Sequence, residues 1–257
     1  MSVAPSPAPD SQGPLRRDVR LLGAILGHVI REQEGQALFD AEERVRQTSR
    51  AGDTEAVKAI VEALPVDEQG RLVRAFSLYF QLANLAEQHH RIRRRRQYAV
   101  ERRVAAESLD EAFQELDAAG ISAGQLRDAA RRVSLELVLT AHPTEATRRT
   151  VLTAQLEISE LLHRLDDPQL SEPGRRDIED ALAEQITTLW QTDETRTKRP
   201  RVVDEIRHGL WFFEQSLFDV APALVGDYRR RIPGAPLPLR FGSWIGGDQD
   251  GNPNAGP

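Results

Sequence analysis

The sequence contains no cysteine, which excludes disulfides, thiolate nucleophiles and thiolate metal sites and leaves only carboxylate or histidine ligands for any metal. Lysine is almost as scarce. Lys58 and Lys198 are the only two, so arginine carries nearly all the positive charge. No stretch approaches the roughly 18 consecutive apolar residues of a membrane span, and the first residues lack the basic start and apolar run of a secretory signal. A chain with no membrane segment and a cytoplasmic address is expected. Positive charge is also in deficit overall, at a net −6, which argues against binding nucleic acid through bulk charge. What the sequence does have is 40% hydrophobic residues over 257 positions, enough to bury a sizeable core.

Residues 1–14 carry Pro5, Pro7, Pro9 and Pro14 among small residues and are expected to form a disordered tail. Residues 15–133 read as a helical region. Val19, Leu22, Leu26, Val29 and Ile30 recur at the spacing of one buried helix face from about Asp18, and a second helix follows Gly35 from about Gln36. Asp53 or Thr54 caps a helix that Pro65 ends, and Asp67 begins a longer one with Leu72, Phe76, Tyr79, Leu82 and Ala86 on one face. Ser108 with Glu111, and Ser122 with Gln125, have capping-box spacing, with Gly120 as a stop between them. Further helices are expected over about 144–165, 173–190 and 201–220, the last with Val203, Ile206, Leu210, Phe213 and Leu217 on one face.

Only Leu135–Thr140 and Leu237–Trp244 read as strands. The first is nearly continuous in apolar residues, as suits a strand buried on both faces of a parallel sheet or barrel. Two strands make no self-sufficient sheet. The remaining strands are therefore expected elsewhere, in a longer protein of which this chain is a truncated piece.

Two segments have the makings of a site. In LVLTAHPTEATRRT an apolar strand delivers His142 just before a helix start; Pro143 holds His142 in extended backbone, Thr144 is placed to cap, and the helix terminus with Arg148 and Arg149 favours an anion beside the imidazole. The alternative is a hydrogen-bonded structural histidine with two arginines in surface ion pairs. In RFGSWIGGDQDGNP, Gly246, Gly247 and Gly251 permit unusual backbone angles, Asp248 and Asp250 can bind amides or a cation, and Trp244 can shield a pocket or fill core. The alternative there is a tight Asx-bonded turn. HHRIRRRRQ, residues 89–97, reads as a solvated helix face paired with carboxylates, with a polyanion site as its alternative, and WQTDETRTKRPR, residues 190–201, reads as an exposed loop.

Taken together, TAHPTE with the following RRT, FGSWIGGDQDGNPN, LGAILGHVIREQEGQALF, FQLANLAEQHHRIRRR and DEIRHGLWFFEQSLFDVAP resemble the phosphoenolpyruvate carboxylase family over nearly all of the chain after the tail. The resemblance implies a large, mostly helical enzyme around an eight-stranded β/α, TIM-like barrel, with residues 134–257 as the first part of that barrel and a long helical insertion between its two strands. It implies conversion of phosphoenolpyruvate and bicarbonate into oxaloacetate and phosphate with Mg2+, His142 as the catalytic histidine, and a homotetramer. No metal ligand is assigned within this chain, and the isolated segment is expected to be inactive. Gln249 departs from the arginine usual between the two aspartates of the glycine-rich motif. A non-catalytic helical interaction module or remnant, and a polyanion-binding helical protein, are the alternative readings.

Overall fold

The computed structural model describes residues 12–101, 103–140, 148–193 and 201–245. Along the chain they form α1 (Gly13–Glu34), α2 (Gln36–Arg50), α3 (Thr54–Glu62), α4 (Val66–Val100), α5 (Leu109–Ala118), α6 (Ala123–Ala130), β1 (Leu135–Leu139), α7 (Arg149–Arg164), α8 (Glu172–Gln191), α9 (Val202–Phe212), a π-helical turn (Phe213–Leu217), α10 (Phe218–Arg231) and β2 (Leu239–Ser243).

Local chemistry explains most of these boundaries. The Asp53 carboxylate accepts from the Ala56 N–H at 3.0 Å to start α3, and Ser171 accepts from the Gly174 N–H to start α8. Ser122 and Gln125 exchange both bonds of a capping box. Ser108 accepts from the Glu111 N–H as expected, but the Glu111 carboxylate bonds the N–H of Glu107 instead of that of Ser108, so the expected box is only half made. Gly35, at φ +89°, ends α1 and lets α2 begin at once, a backbone state that favours glycine. The expected tail is corrected at its inner edge, because Gly13 and Pro14 already belong to α1. Proline is tolerated there because a first-turn N–H has no helical acceptor anyway.

Contacts group the chain into two compact units, residues 1–100 with 150–193, and residues 101–149 with 194–257. In the first, α1 packs against α2, α4 and α8, and α2 against α3 and α4. Leu22, Val29 and Ile30 of α1, Leu72 and Leu82 of α4, Ile158 and Leu162 of α7, and Leu182 and Ile186 of α8 are all buried in one core. Removing such a side chain from water stabilises the fold by about 1.5–3 kcal/mol each. Polar ties close the edges: the Trp190 indole N–H donates to Glu34 at 3.1 Å, and Arg71 pairs with the same carboxylate at 2.8 Å.

A charged cluster is built into this helical unit. Arg93 of α4 reaches Asp18 of α1 at 2.5 Å and Asp166, just beyond α7, at 2.6 Å. His89, one turn earlier, donates from Nε2 to Asp166 at 2.8 Å. Asp18 and His89 are buried. Arg91 of the same basic run pairs with Glu87, and Arg96 bonds His163. The run is thus a paired helix face, and its alternative as a polyanion site is not favoured.

The second unit is built on β1 and β2, which pair in parallel with Leu135 opposite Leu239 and Leu139 opposite Ser243. The parallel arrangement fits the apolar run of β1, but its expected two-sided burial is corrected: Leu135, Leu137 and Val138 are exposed. Burial on both faces needs a layer on each, and among the described residues β1 has β2 as its one strand neighbour. The helix expected to end near Val220 continues to Arg231, passing through the π-turn just ahead of Pro222, where the wider turn accompanies a residue that cannot donate a helical N–H. Its apolar face is not its buried one. Val203, Ile206 and Leu210 are exposed, while Glu205 and Gly209 are the buried positions of α9.

Candidate functional site

The two candidate segments leave the same edge of the sheet. Because β1 and β2 run parallel in register, the stretch toward His142 and the stretch toward the glycine-rich turn both emerge at the strands' carboxyl ends. The Trp244 N–H extends the ladder by donating to the Leu139 carbonyl at 2.9 Å. His142, Asp248 and Asp250 themselves lie outside the described residues, as do Gly246, Gly247, Gln249 and Gly251 and residues 194–200 of the charged loop.

Arg148 immediately precedes α7 and is half-buried, and Arg149 opens the helix and is exposed. Arg149 stands 3.9 Å from Glu214 of the π-turn, a partner that nothing in the local sequence pattern names. Trp244 is 59% exposed.

Behind β2 the approach is closer. Phe213 meets Phe241 edge-on at 5.1 Å between ring centres, joining the π-turn to the strand. A side chain at Gly209 would bring its Cβ to 2.7 Å from Ile245 Cδ1, so the glycine lets α9 pass against the residue that follows β2. Glu205, one turn earlier on that face, is only 1% exposed, and its Oε1 has no hydrogen-bond partner among the described residues. This buried carboxylate was also missed, and the i, i+4 pairing with Gly209 is the signal that points to it. The start of α9 is fixed by Asp204, which accepts from the Arg201 N–H at 3.1 Å and is thereby held below the usual carboxylate range.

Among the described residues no group of three or more histidine, aspartate and glutamate side chains is placed to hold a metal ion. No described helix is long and apolar enough to cross a membrane.

The family model described as phosphoenolpyruvate carboxylase matches residues 15–257. Similar proteins carrying that name include those of Azorhizobium caulinodans (38% identical over 95% of this chain and 28% of the relative), Pseudomonas paraeruginosa (39% over 96% and 30%) and Nocardia farcinica (40% over 95% and 28%). The chain spans less than a third of the length of these curated relatives. With the family model covering all but its first residues, the chain belongs to the phosphoenolpyruvate carboxylase family.

Proposed function

We propose that this chain forms part of an enzyme that converts phosphoenolpyruvate and bicarbonate into oxaloacetate and phosphate. The single observation that carries the reading is the parallel pairing of β1 with β2, which directs both motif segments to one carboxyl edge, where β/α barrels keep their active groups. Residues 134–257 supply the first part of that barrel, and the other strands come from polypeptide corresponding to the rest of the relatives' length. Bicarbonate oxygen attacks the phosphoryl group, the enol C–O oxygen leaves with the bonding pair, and carboxyphosphate and enolate result. Carboxyphosphate then splits into carbon dioxide and phosphate, and the enolate carbon captures the carbon dioxide.

His142 moves the proton in the splitting step, a role suited to a side chain that titrates near neutral pH. Arg148 and Arg149, at the positive end of α7, hold the phosphate or carboxylate charge beside it. Trp244 borders the pocket once the rest of the barrel is in place, and Asp248 and Asp250 shape its glycine-rich edge. Mg2+ is supplied by ligands outside this chain, and the assembled protein is a cytoplasmic homotetramer. The 257-residue chain alone turns over no phosphoenolpyruvate, because the metal and the remaining strands are needed to position substrate.

The test is His142→Asn in the intact enzyme, with oxaloacetate and phosphate assayed separately. Asparagine keeps polarity and approximate size but cannot exchange a proton, so oxaloacetate formation should fall by about 10²- to 10⁴-fold while bicarbonate-dependent phosphate release persists. Oxaloacetate formation within a few-fold of the unmodified enzyme assigns His142 a structural role.

A further inference from the structure

Glu205 is a buried carboxylate to which the reaction above gives no part, and its Oε1 has no hydrogen-bond partner among the described residues. Taking such a group out of water without a donor is strongly unfavourable, and native proteins bond nearly all of their buried polar groups. The cations of its own helix end are engaged elsewhere. Arg201 and Arg207 both pair with Asp204, the adjacent carboxylate. The donor for Glu205 therefore comes from outside the described residues, and the geometry of α9 against β2 says from where.

Two contacts fix how the helix runs past the strand. Gly209 faces Ile245, where a Cβ would come within 2.7 Å of Ile245 Cδ1, and Phe213 meets Phe241 at 5.1 Å between ring centres. Moving forward along the helix from Gly209 to Phe213 thus means moving backward along the strand from Ile245 to Phe241, so the two elements are antiparallel. Glu205 shares the face of Gly209 and lies about 6 Å from it along the helix axis, in the direction in which β2 is heading. At about 3.3 Å per extended residue, that is the reach of the two residues after Ile245. They are Gly246 and Gly247, whose N–H groups a carboxylate can approach with no side chain in the way.

We propose that Glu205 is a positioning residue for the glycine-rich turn: its carboxylate accepts from the peptide N–H groups of Gly246 and Gly247 and so fixes the course of the chain that carries Asp248 and Asp250. Bonds from a backbone N–H to an ionised carboxylate are stronger than neutral ones, and they hold the turn from the helix side without touching substrate. The inference rests on the reading above only in taking that turn as an edge of the substrate pocket. The competing donors are Arg196, Lys198 and Arg199 of the charged loop, but the register of α9 on β2 puts the amides, and not those cations, level with the carboxylate.

The experiment uses the intact enzyme with Glu205→Gln, in which the side chain keeps its size but one acceptor becomes a donor. Hydrogen exchange read by mass spectrometry should show the peptide over residues 246–251 exchanging at least about ten-fold faster, with the peptides of α1, α4, α7 and α8 unchanged. In the same variant kcat/KM for phosphoenolpyruvate should fall by about ten-fold or more. Arg196→Ala, Lys198→Ala and Arg199→Ala should leave exchange in that peptide unaltered. Unchanged exchange in Glu205→Gln overturns the proposal, and so does an equal effect from any of the three loop variants, which assigns the partner to a cation. Faster exchange with kcat/KM unchanged supports the positioning role and overturns instead the reading that sets the turn at the substrate pocket. If the variant does not fold, a crystal structure of the unmodified intact enzyme decides: a Glu205 oxygen within about 3.2 Å of the Gly246 or Gly247 nitrogen supports the proposal, and its absence overturns it.

Discussion

The helices of residues 13–100 and 150–191 and the strand-bearing unit that contains β1 and β2 satisfy their apolar residues differently. In the first, Ile158, Leu162 and Leu182 are wholly enclosed, and even the charged cluster of Asp18, His89, Arg93 and Asp166 finds its partners inside the unit. In the second, Leu137 of the central apolar run remains 52% exposed, Leu210 is equally so, and the buried position on α9 is a carboxylate. An amphipathic helix is satisfied by a few neighbours close in sequence. A parallel strand needs both lateral partners and a layer on each face, so the same hydrophobicity produces a closed core in one unit and open faces in the other.

The largest contrast is expected from charge. Arg93→Ala leaves Asp18 and Asp166 without their shared cation in a buried setting, and denaturant unfolding should register a loss of about 3–5 kcal/mol. The matched change in the other unit, Arg149→Ala, removes an exposed pair with Glu214 and should cost no more than about 1 kcal/mol. Equal effects would erase the distinction between the units.

A second contrast uses apolar truncation. Leu182→Ala should cost about 2–5 kcal/mol through lost transfer energy and the cavity left behind, whereas Leu137→Ala on the open strand should fall within about 0.5 kcal/mol of the parent chain. Hydrogen exchange measured alongside should place the slowest amides in α1, α4, α7 and α8, because their opening requires breaking that core. A strongly destabilised Leu137→Ala chain would mean that the sheet is covered in solution.

The smallest effect is a pH dependence confined to the helical unit. Burial, with the Arg93 guanidinium nearby, holds His89 below its ordinary value of 6.5. Burial pushes the Asp166 carboxyl up, but the hydrogen bond and charge of Arg93, with His89, bring it below the usual carboxylate range. Above 6.5 the imidazole is neutral in both folded and unfolded chains, so its state adds no slope. Below that value the unfolded chain takes up a proton that the folded unit resists, and stability falls as the pH drops. The Asp166 contribution has the same sign and is lost later, as the pH passes down through its lowered folded value. His89→Gln retains a donor for Asp166, so its thermal-melting profile should be flatter than the parent's just below pH 6.5; parallel profiles would exclude His89 as the source of the slope.

Much of the local structure is legible in the chain. Ser122 with Gln125, Asp53 and Gly35 announce helix ends because capping depends on residues only three or four positions apart. The periodicity of Leu22, Leu26, Val29 and Ile30 likewise marks the face that α1 buries. The failures have a common form. On α9 the apolar stripe is not the buried one: Gly209 is the position that admits Ile245, and Glu205 goes under with it. The sequence reads the basic run in α4 as a face paired with carboxylates, but not with which ones, since the partners of Arg93 lie on α1 and beyond α7.

By itself the sequence determined the capped helix ends at Gly35, Asp53 and Ser122, the positions of the two strands and, through its ordered motifs, the family to which the chain belongs. These are consequences of bonding and steric preference over a few residues, or of a pattern carried along the whole chain. Only the tertiary structure decided that the two strands pair in parallel, that Arg93 bridges Asp18 and Asp166, and that Gly209 admits Ile245 beside the buried Glu205. Each of those depends on groups far apart in the chain, whose meeting is set by which faces find a partner to exclude water.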